Sequence, residues 1–275
     1  MNEPIEISNL ADYINEINTI THSNKIYLYR GQENEEWQVN SSAYRRLEIS
    51  VSPSERASVS EQASVTEYNR LSDVLRSPHR DYLLQIVNEI QLKYPSTYRD
   101  LHPLECMAHL QHNKVATGLI DFTFNPLVAL WFACNKENDE DTNGKVIVLE
   151  NDSRKIEAIK TTEELERDLG TFFDVDREQW YLWAPTLDSR KVDTERMTMQ
   201  QSVFLFGLPE IDRKMITQEI IIPAEHKESL RTELVKMGIS EKTLFADLLG
   251  FFERNTARHS YDLTLVTSNN GEKLP

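Results

Sequence analysis

The first hydrophobic pattern along the chain is helical. Apolar side chains recur three or four positions apart across residues 7–17, at Leu10, Tyr13, Ile14 and Ile17. This spacing places them on one face of a helix, so we expect that face to pack against a core. Ser8 and Asn9 precede the run, and residues of this type favour the cap of a helix.

A short apolar and aromatic run follows at residues 26–29 and is typical of a buried strand. Because Arg30 and Gly31 come directly after it, we predict that this strand stops at a glycine turn over residues 29–31. A solvated loop over residues 33–36, anchored by Trp37, is expected next.

Longer helices are predicted where apolar positions keep helical spacing without interruption by glycine or proline. Proline marks a stop before Pro95 and a start at Pro103, and Gly238 is the expected C-terminal cap of the last helix. Thr161 and Glu164 form a capping box at another helix start. The predicted helices span residues 54–75, 81–93, 103–112, 161–169 and 224–237.

Strands are predicted at residues 119–123, 145–150, 195–206 and 218–222. Between the first two, Asn125 is the predicted cap and Pro126 the first residue of a buried helix that continues to residue 135. Helices and strands are mixed without βαβ regularity, which favours an α+β fold in a single elaborated domain.

Composition narrows the class of protein. The chain has 275 residues with 39% hydrophobic content, which suits a globular fold. Cys106 and Cys134 make no disulfide framework, no apolar window approaches membrane-spanning length, and the first twenty residues do not resemble a secretory leader. We therefore expect a cytoplasmic protein without membrane contact.

The net charge of −15 opposes non-specific binding to a phosphate backbone, although a local basic cleft remains compatible with it. An acidic surface also suits a basic regulatory partner, such as an antitoxin. A metal site is not expected, because Cys106, His109 and His112 recur three positions apart without the four ligands that structural zinc requires.

Three positions are candidates for chemistry from their surroundings alone. Arg30 lies between an apolar strand and a glycine, which fixes where its guanidinium leaves the core, and such a group suits phosphate binding. The alternative is an ordinary ion pair with a neighbouring acid. Asp121 and Thr123 lie two residues apart on a predicted strand and therefore share one face. They either contribute to a site or cap the helix that begins at Pro126.

Several segments resemble the FRG domain family. The similarity spans roughly residues 25–250. It is carried by Tyr29-Arg30-Gly31-Gln32 with Trp37, Gln111-His112, Thr117, Leu119, Asp121-Phe122-Thr123, Asn125-Pro126-Leu127, Ala129-Leu130-Trp131-Phe132-Ala133, Arg196-Met197, Gln200-Gln201, Phe204 and Leu244-Phe245-Ala246-Asp247-Leu248. Two positions depart from the family pattern. The family usually has glycine at the position of Ser202 and a basic residue at the position of Gly118.

This resemblance implies a bacterial toxin or phage-defence effector and divides the chain into an N-terminal helical segment at residues 1–24, an FRG domain at residues 25–250 and a C-terminal extension at residues 251–275. A more distant similarity links it to the arginine-serine-glutamate form of ADP-ribosyltransferases. That similarity implies a split β-sheet with flanking helices that cradles NAD as a co-substrate. The catalytic positions would be Arg30, Thr123 and Glu219.

In that interpretation, the NAD-binding residues would be Tyr29, Gly31, Gln32, His112, Asp121, Gln200 and Gln201. The ADP-ribose acceptor would be RNA, DNA or protein. Gln201 competes with Glu219 for the place of the last catalytic residue, but an amide lacks the carboxylate charge. The alternative function is a non-catalytic module that recognises a nucleotide or a phage protein.

Overall fold

The computed structural model describes residues 3–52, 71–135, 141–165, 167–185 and 195–256. Most of the helix predicted at residues 54–75 lies outside these ranges, as does the tail after residue 256. Across the described ranges, no helix is both long enough and apolar enough to cross a lipid bilayer.

The described helices are mostly short and connect the strands. They are α1 (Leu10–Ile20), α2 (Ser42–Ser50), α3 (Leu71–Val74), α4 (Arg76–Lys93), α5 (Pro95–Tyr98), α6 (Pro103–His112), α7 (Pro126–Ala133), α8 (Thr162–Leu165), α9 (Leu169–Phe172), α10 (Glu195–Met199), α11 (Lys227–Lys236), α12 (Glu241–Leu244) and α13 (Leu248–Arg254). Two 3₁₀ turns lie at Arg213–Met215 and Ala224–His226.

Eight strands form one open mixed sheet. They are β1 (Ile5–Glu6), β2 (Tyr27–Gln32), β3 (Ile120–Thr123), β4 (Gly144–Glu150), β5 (Ile156–Ile159), β6 (Trp180–Trp183), β7 (Ser202–Phe206) and β8 (Ile216–Ile222). Their order across the sheet is β1-β8-β4-β2-β3-β7-β6-β5. Mixed pairing with flanking helices agrees with the predicted α+β class.

Local signals set the helix boundaries where we expected them. The Asn9 side chain accepts a hydrogen bond from the amide of Asp12 and caps α1. Asn125 accepts one from the amide of Leu127, and Pro126 occupies the first helical position of α7. Gly238 has φ +81° directly after α11, in the left-handed region that glycine adopts without strain.

The centre of the sheet is its weakest connection. Within the described ranges, Tyr29 opposite Thr123 is the sole register pair between β2 and β3. By contrast, β2 pairs with β4 from Tyr27 to Gln32, and β3 pairs with β7 along its whole length. The strand pairing therefore divides the sheet into two four-stranded halves that one register pair joins.

Helices cover one face of the sheet in two groups. Over one half, α1, α7 and α11 pack on β2, β4 and β8 through a core that includes Tyr13, Leu130 and Val148. Over the other half, α4, α6 and α9 pack on β6 and β7 through a separate core. A third apolar cluster, with Leu28 and Leu205, lies on the opposite face. The two helical groups leave a gap above the junction of the halves.

Four local predictions were wrong. The helix predicted at residues 161–169 ends at Leu165, and α9 begins separately at Leu169. Residues 29–31 form no turn, because Arg30 and Gly31 continue β2 and pair with Ile147 and Val146 of β4. Residues 195–206 are not one strand, since α10 precedes β7. Trp37 does not anchor its loop in the core, because 43% of its surface is exposed.

The N-terminal segment belongs to the main fold. In β1, Ile5 pairs with Ile220 in parallel, and three side chains of α1 enter the core beside β2. Near the other predicted boundary, α13 runs across residue 250 without a break.

Candidate functional site

The gap between the two helical groups forms a cavity of about 290 Å³, which we call the central cleft. Tyr29, Arg30, Asp121 and Thr123 line it from β2 and β3, where the two halves of the sheet meet. Its volume is close to the lower end of typical ligand sites, about 300–1,000 Å³. A nucleoside-sized group therefore fits better than an extended polymer.

Close packing at Gly31 shapes one wall of the cleft. A Cβ atom at this position would lie 1.9 Å from the carbonyl oxygen of Ala129 and 2.7 Å from the amide nitrogen of Ala133. Only glycine permits this approach of β2 to α7. The strand and helix thus hold Arg30 and Phe132 in fixed positions on the cleft wall.

Arg30 is the central cation of the cleft. Its Nη1 donates a 2.7 Å hydrogen bond to the carbonyl oxygen of Asp121. Burial lowers the pKa of the Arg30 guanidinium, and the nearby Asp121 carboxylate opposes this shift. A guanidinium that is held in place and largely desolvated is well suited to bind an anion.

Asp121 supplies the carboxylate of the cleft. Its side chain is exposed at the base of the cleft, although protein atoms surround it on most sides. Desolvation raises its pKa, while Arg30 and a hydrogen bond from Gln111 act in the opposite direction. Gln111 Nε2 donates to Asp121 Oδ1 at 2.6 Å, and the hydroxyl of buried Thr117 donates to Gln111 Oε1. This chain of hydrogen bonds fixes the carboxylate.

A buried carboxylate, Asp247, supports the wall of the cleft that His112 and Arg196 line. Asp247 is fully buried, and its Oδ2 lies 2.9 Å from Nε2 of His112. Its Oδ1 accepts hydrogen bonds from Arg196 Nη2 at 3.1 Å and from the amide of Gly250 at 3.2 Å. His112 and Arg196 both line the cleft, so Asp247 positions two of its polar side chains from behind.

Thr123 is held by the backbone around it. Its hydroxyl donates to the carbonyl oxygen of Gln200 at 2.6 Å and accepts from the amide of Asn125 at 3.0 Å. Both sequence-based interpretations therefore apply in part, because Thr123 lines the cleft and also fixes the start of α7. The Gln200 side chain reaches the cleft and donates to the carbonyl oxygen of Leu244 at 3.1 Å.

Aromatic side chains form the apolar part of the cleft. Tyr29, Phe132 and Phe245 line it, and the Arg196 guanidinium lies 4.6 Å from the centre of the Phe245 ring. Phe132 and Phe245 meet nearly edge to face, with ring centroids 6.1 Å apart. A flat heterocycle would find suitable stacking surfaces here.

Glu219 lies on the other face of the sheet. Glu219 pairs with Ile147 of β4. The cleft residue Thr123 pairs with Tyr29, and Tyr29 pairs with Val148, the next residue of β4. Since adjacent positions on β4 point to opposite faces, Glu219 and Thr123 are separated by the sheet. The Glu219 carboxylate lies 3.2 Å from Arg213 and 3.5 Å from Lys145. Arg30 also pairs with Ile147 and therefore leaves β2 on the same face as Glu219, but Glu219 does not line the cleft with Arg30 and Thr123.

Two more predicted residues lie outside the cleft lining. Gln201 is exposed and has φ +47°, in the left-handed region, and its carbonyl oxygen accepts a hydrogen bond from Phe124. Gln32 is buried and donates to the carbonyl oxygen of Gln38 at 3.2 Å. Tyr29, Gly31, His112, Asp121 and Gln200 do line the cleft with Arg30 and Thr123.

The two departures from the family pattern have different surroundings. A side chain at Gly118 would meet Leu83 at 2.6 Å and Phe173 at 2.8 Å, so the core leaves no room for a basic residue. Ser202 opposes Thr123 in the sheet and lines the cleft.

Sequence reasoning missed four residues that shape the site: Gln111, Arg196, Phe245 and Asp247. All four belong to segments that carry the family resemblance, but no single segment shows that they meet. Arg196 and Asp247 are 51 positions apart, and neither is close in sequence to Gln111. Across the ranges described, no group of three or more His, Cys, Asp or Glu side chains is arranged to hold a metal ion.

Comparison with known proteins gives one family match. The family model described as FRG domain matches residues 25–142, a segment that contains Arg30, Asp121 and Thr123. No curated protein and no solved structure matches the chain. The match supports the FRG family for the segment that supplies β2, β3 and α7.

Proposed function

We propose that this protein binds NAD with its nicotinamide riboside in the central cleft and transfers ADP-ribose to a macromolecule, as a toxin or anti-phage effector. The observation that carries this proposal is the meeting of Arg30, Asp121 and Thr123 at the junction of two half-sheets, beside aromatic side chains. Such a cleft offers a cation for phosphate, a carboxylate for a developing cation and flat surfaces for the nicotinamide ring.

Each residue has a role that follows from its position. The Arg30 guanidinium binds a phosphate oxygen of NAD, and the Thr123 and Gln200 segment holds the ribose. Asp121 replaces Glu219 as the carboxylate, because its side chain is the one acidic group that lines the cleft among the residues described. This assignment differs from the sequence-based hypothesis, which gave that role to Glu219.

The chemistry requires charge stabilisation more than proton transfer. The bond between C1′ of the ribose and the nicotinamide nitrogen breaks, and its electron pair leaves with neutral nicotinamide. The carboxylate of Asp121 stabilises the positive charge that develops on the ribose, as carboxylates do at glycosidic bonds. The acceptor then forms the new bond to C1′ and loses its proton.

The second candidate is a recognition module that binds a nucleotide without turnover. The position of Glu219 outside the cleft favours this module, and so do the interactions of the Asp121 carboxylate with Gln111 and Arg30. Both candidates use the same cleft and the same cation. They differ in whether nicotinamide is released.

A nicotinamide-release assay, run with NAD titrations by calorimetry, separates these functions. We expect Arg30→Ala to weaken NAD binding by at least about tenfold, because a hydrogen bond to a charged group is lost. Asp121→Asn should leave binding in place and slow nicotinamide release by about 100-fold. Glu219→Gln removes a carboxylate that lies outside the cleft and is the matched control, expected within about twofold of the unmodified protein.

Each result decides between the alternatives. Loss of release in Glu219→Gln with normal release in Asp121→Asn would restore the sequence-based assignment and remove ours. NAD binding without release would establish the recognition module. Absence of NAD binding in the unmodified protein would contradict both candidates.

A further inference from the structure

A second cavity of about 180 Å³ adjoins the central cleft, and we call it the side cavity. Arg30, Gln111 and Asp121 line both spaces. The side cavity continues toward Arg45 on α2 and Lys114 just after α6. The central cleft and the side cavity therefore share a wall that is formed by Arg30, Gln111 and Asp121.

Arg45 is fixed beside the side cavity. Its Nη1 donates a hydrogen bond to the backbone carbonyl oxygen of Asn40 at 2.9 Å and another to Asn40 Oδ1 at 3.0 Å. Partial burial lowers the pKa of the Arg45 guanidinium, and Asp121 and Glu48 oppose that shift. The positive charge of Arg45 also contributes to the lowered pKa of Arg30. The two guanidinium groups are thus close enough to repel each other.

The charges around the side cavity do not balance. Within the described ranges, Asp121 is the one acidic side chain that lines the side cavity, and Arg30 and Arg45 line the same cavity. Lys114 also lines the cavity, but its ammonium lies 2.6 Å from the Glu253 carboxylate. Among the side chains that line the side cavity, two arginines face one carboxylate, and Glu48 offsets part of this positive charge from outside the lining. In a protein with a net charge of −15, this local excess attracts anions to one place.

Arg30 also has an unused donor. Its Nε is buried, and among the described residues no acceptor satisfies it. A buried donor without a partner costs about 1–3 kcal/mol, so such donors are rare unless a ligand or water completes them. The buried charge of Arg30 is therefore incompletely compensated within the described part of the protein.

We propose that the side cavity binds a phosphate group between Arg30 and Arg45. The group comes from one of two sources with the same chemistry. It is either the pyrophosphate of a dinucleotide whose nicotinamide riboside occupies the central cleft, or a phosphodiester of a nucleic-acid acceptor. The choice of source rests on the proposed function, whereas the phosphate site itself does not.

Inorganic pyrophosphate is the first probe, because it tests the site without NAD. Calorimetry should show binding to the unmodified protein and at least about tenfold weaker binding to Arg45→Gln, because a charge-assisted contact is lost. Glutamine keeps part of the side-chain stem, and urea unfolding checks that the variant is folded.

Arg46→Gln is the matched control. Arg46 is the next residue on α2, but its guanidinium lies over the Tyr82 ring at 5.2 Å and donates to the Tyr82 hydroxyl at 3.1 Å. It does not line the side cavity. Arg46→Gln changes the net charge by the same amount as Arg45→Gln, but away from the side cavity. Pyrophosphate affinity should therefore stay within about twofold of the unmodified value.

Two further titrations identify the source of the phosphate. If the dinucleotide supplies it, Arg45→Gln weakens binding of NAD but not of nicotinamide riboside, which has no phosphate. If an acceptor supplies it, Arg45→Gln weakens binding of a short single-stranded oligonucleotide and leaves NAD affinity unchanged. Either result supports the phosphate site.

Equal pyrophosphate affinity in Arg45→Gln and the unmodified protein would overturn the proposal. So would an equal loss in Arg46→Gln, because that result indicates general surface charge. The proposed function fails separately: pyrophosphate binding that depends on Arg45, together with no binding of any nicotinamide nucleotide, would keep the phosphate site and remove the NAD cleft.

Discussion

The Asp247 carboxylate lies 2.9 Å from Nε2 of His112, although the two residues are 135 positions apart along the chain. Asp247 also caps α13 through the amide of Gly250 and binds Arg196 at 3.1 Å. One buried carboxylate therefore joins α6, α10 and α13 behind the cleft. Its removal should affect both stability and the position of two cleft residues.

Asp247→Ala should lower the free energy of unfolding by about 3–5 kcal/mol, because the partly buried Arg196 loses its counter-charge. Urea unfolding at neutral pH measures this change. Asn9→Ala is a suitable control, since Asn9 caps α1 at the surface and its loss should cost about 1 kcal/mol. Equal costs for the two variants would mean that the buried carboxylate acts only as a helix cap.

Gly31→Ala should destabilise the protein by more than about 3 kcal/mol, because the new methyl group would overlap the backbone of α7. Gly238→Ala provides the comparison. Its Cβ would meet nothing within 4 Å, so only the strained positive φ contributes, at about 1 kcal/mol. Chemical unfolding of both variants tests the difference, and a mild effect at Gly31 would contradict the close approach of β2 to α7.

Thr123→Val should lower the free energy of unfolding by about 1–3 kcal/mol. Valine has the same shape but leaves the Gln200 carbonyl oxygen and the Asn125 amide without their partner. Thr123→Ser keeps the hydroxyl and should cost about 1 kcal/mol or less, because only one methyl group is lost. If valine proved as stable as serine, the hydroxyl would have no structural role.

His79 should make stability depend on pH. Burial lowers its pKa to about 4, and Ser41 Oγ lies 2.9 Å from its Nε2. The unfolded chain takes up a proton below pH about 6.5, whereas the folded protein does so only near pH 4, so stability falls as pH decreases through this window. The loss in the free energy of unfolding across this pH window reaches up to about 3 kcal/mol.

His79→Gln removes this titration. The free energy of unfolding of this variant should change less between pH 6.5 and pH 4 than that of the unmodified protein. The two proteins contain the same carboxylates, so protonation of the carboxylates affects both proteins equally. Parallel unfolding curves at several pH values give the comparison. Identical slopes would show that the buried histidine does not take part in acid destabilisation.

The sequence predicted those parts of the fold that local chemistry controls. Asn125 and Pro126 mark the start of α7 because a capping side chain and a fixed φ act within a few residues. The Thr161 and Glu164 capping box is present for the same reason. By contrast, Gly31 suggested a turn, while the structure uses it for contact with α7, which is about 100 residues away along the chain.

The face occupied by Glu219 could not be predicted in the same way. Residues 220–222 are buried on both sides of the sheet, so the strand shows no alternation that would reveal which face points to the cleft. Arg30 and Thr123 were easier to identify, because each lies beside a local feature of the sequence. Asp247 was not, since its role depends on contacts with residues on α6 and α10.

The single register pair between Tyr29 and Thr123 has a mechanical consequence. A ladder of many hydrogen bonds would resist any rotation of one half-sheet against the other, but here the seam contributes little resistance. On the cleft face each half has its own helices and its own core, whereas the apolar cluster on the opposite face crosses the seam and joins the halves. Rotation about this shared face would widen or narrow the cleft while the packing behind it is kept. The shape of this molecule thus favours a hinge where its polar side chains converge.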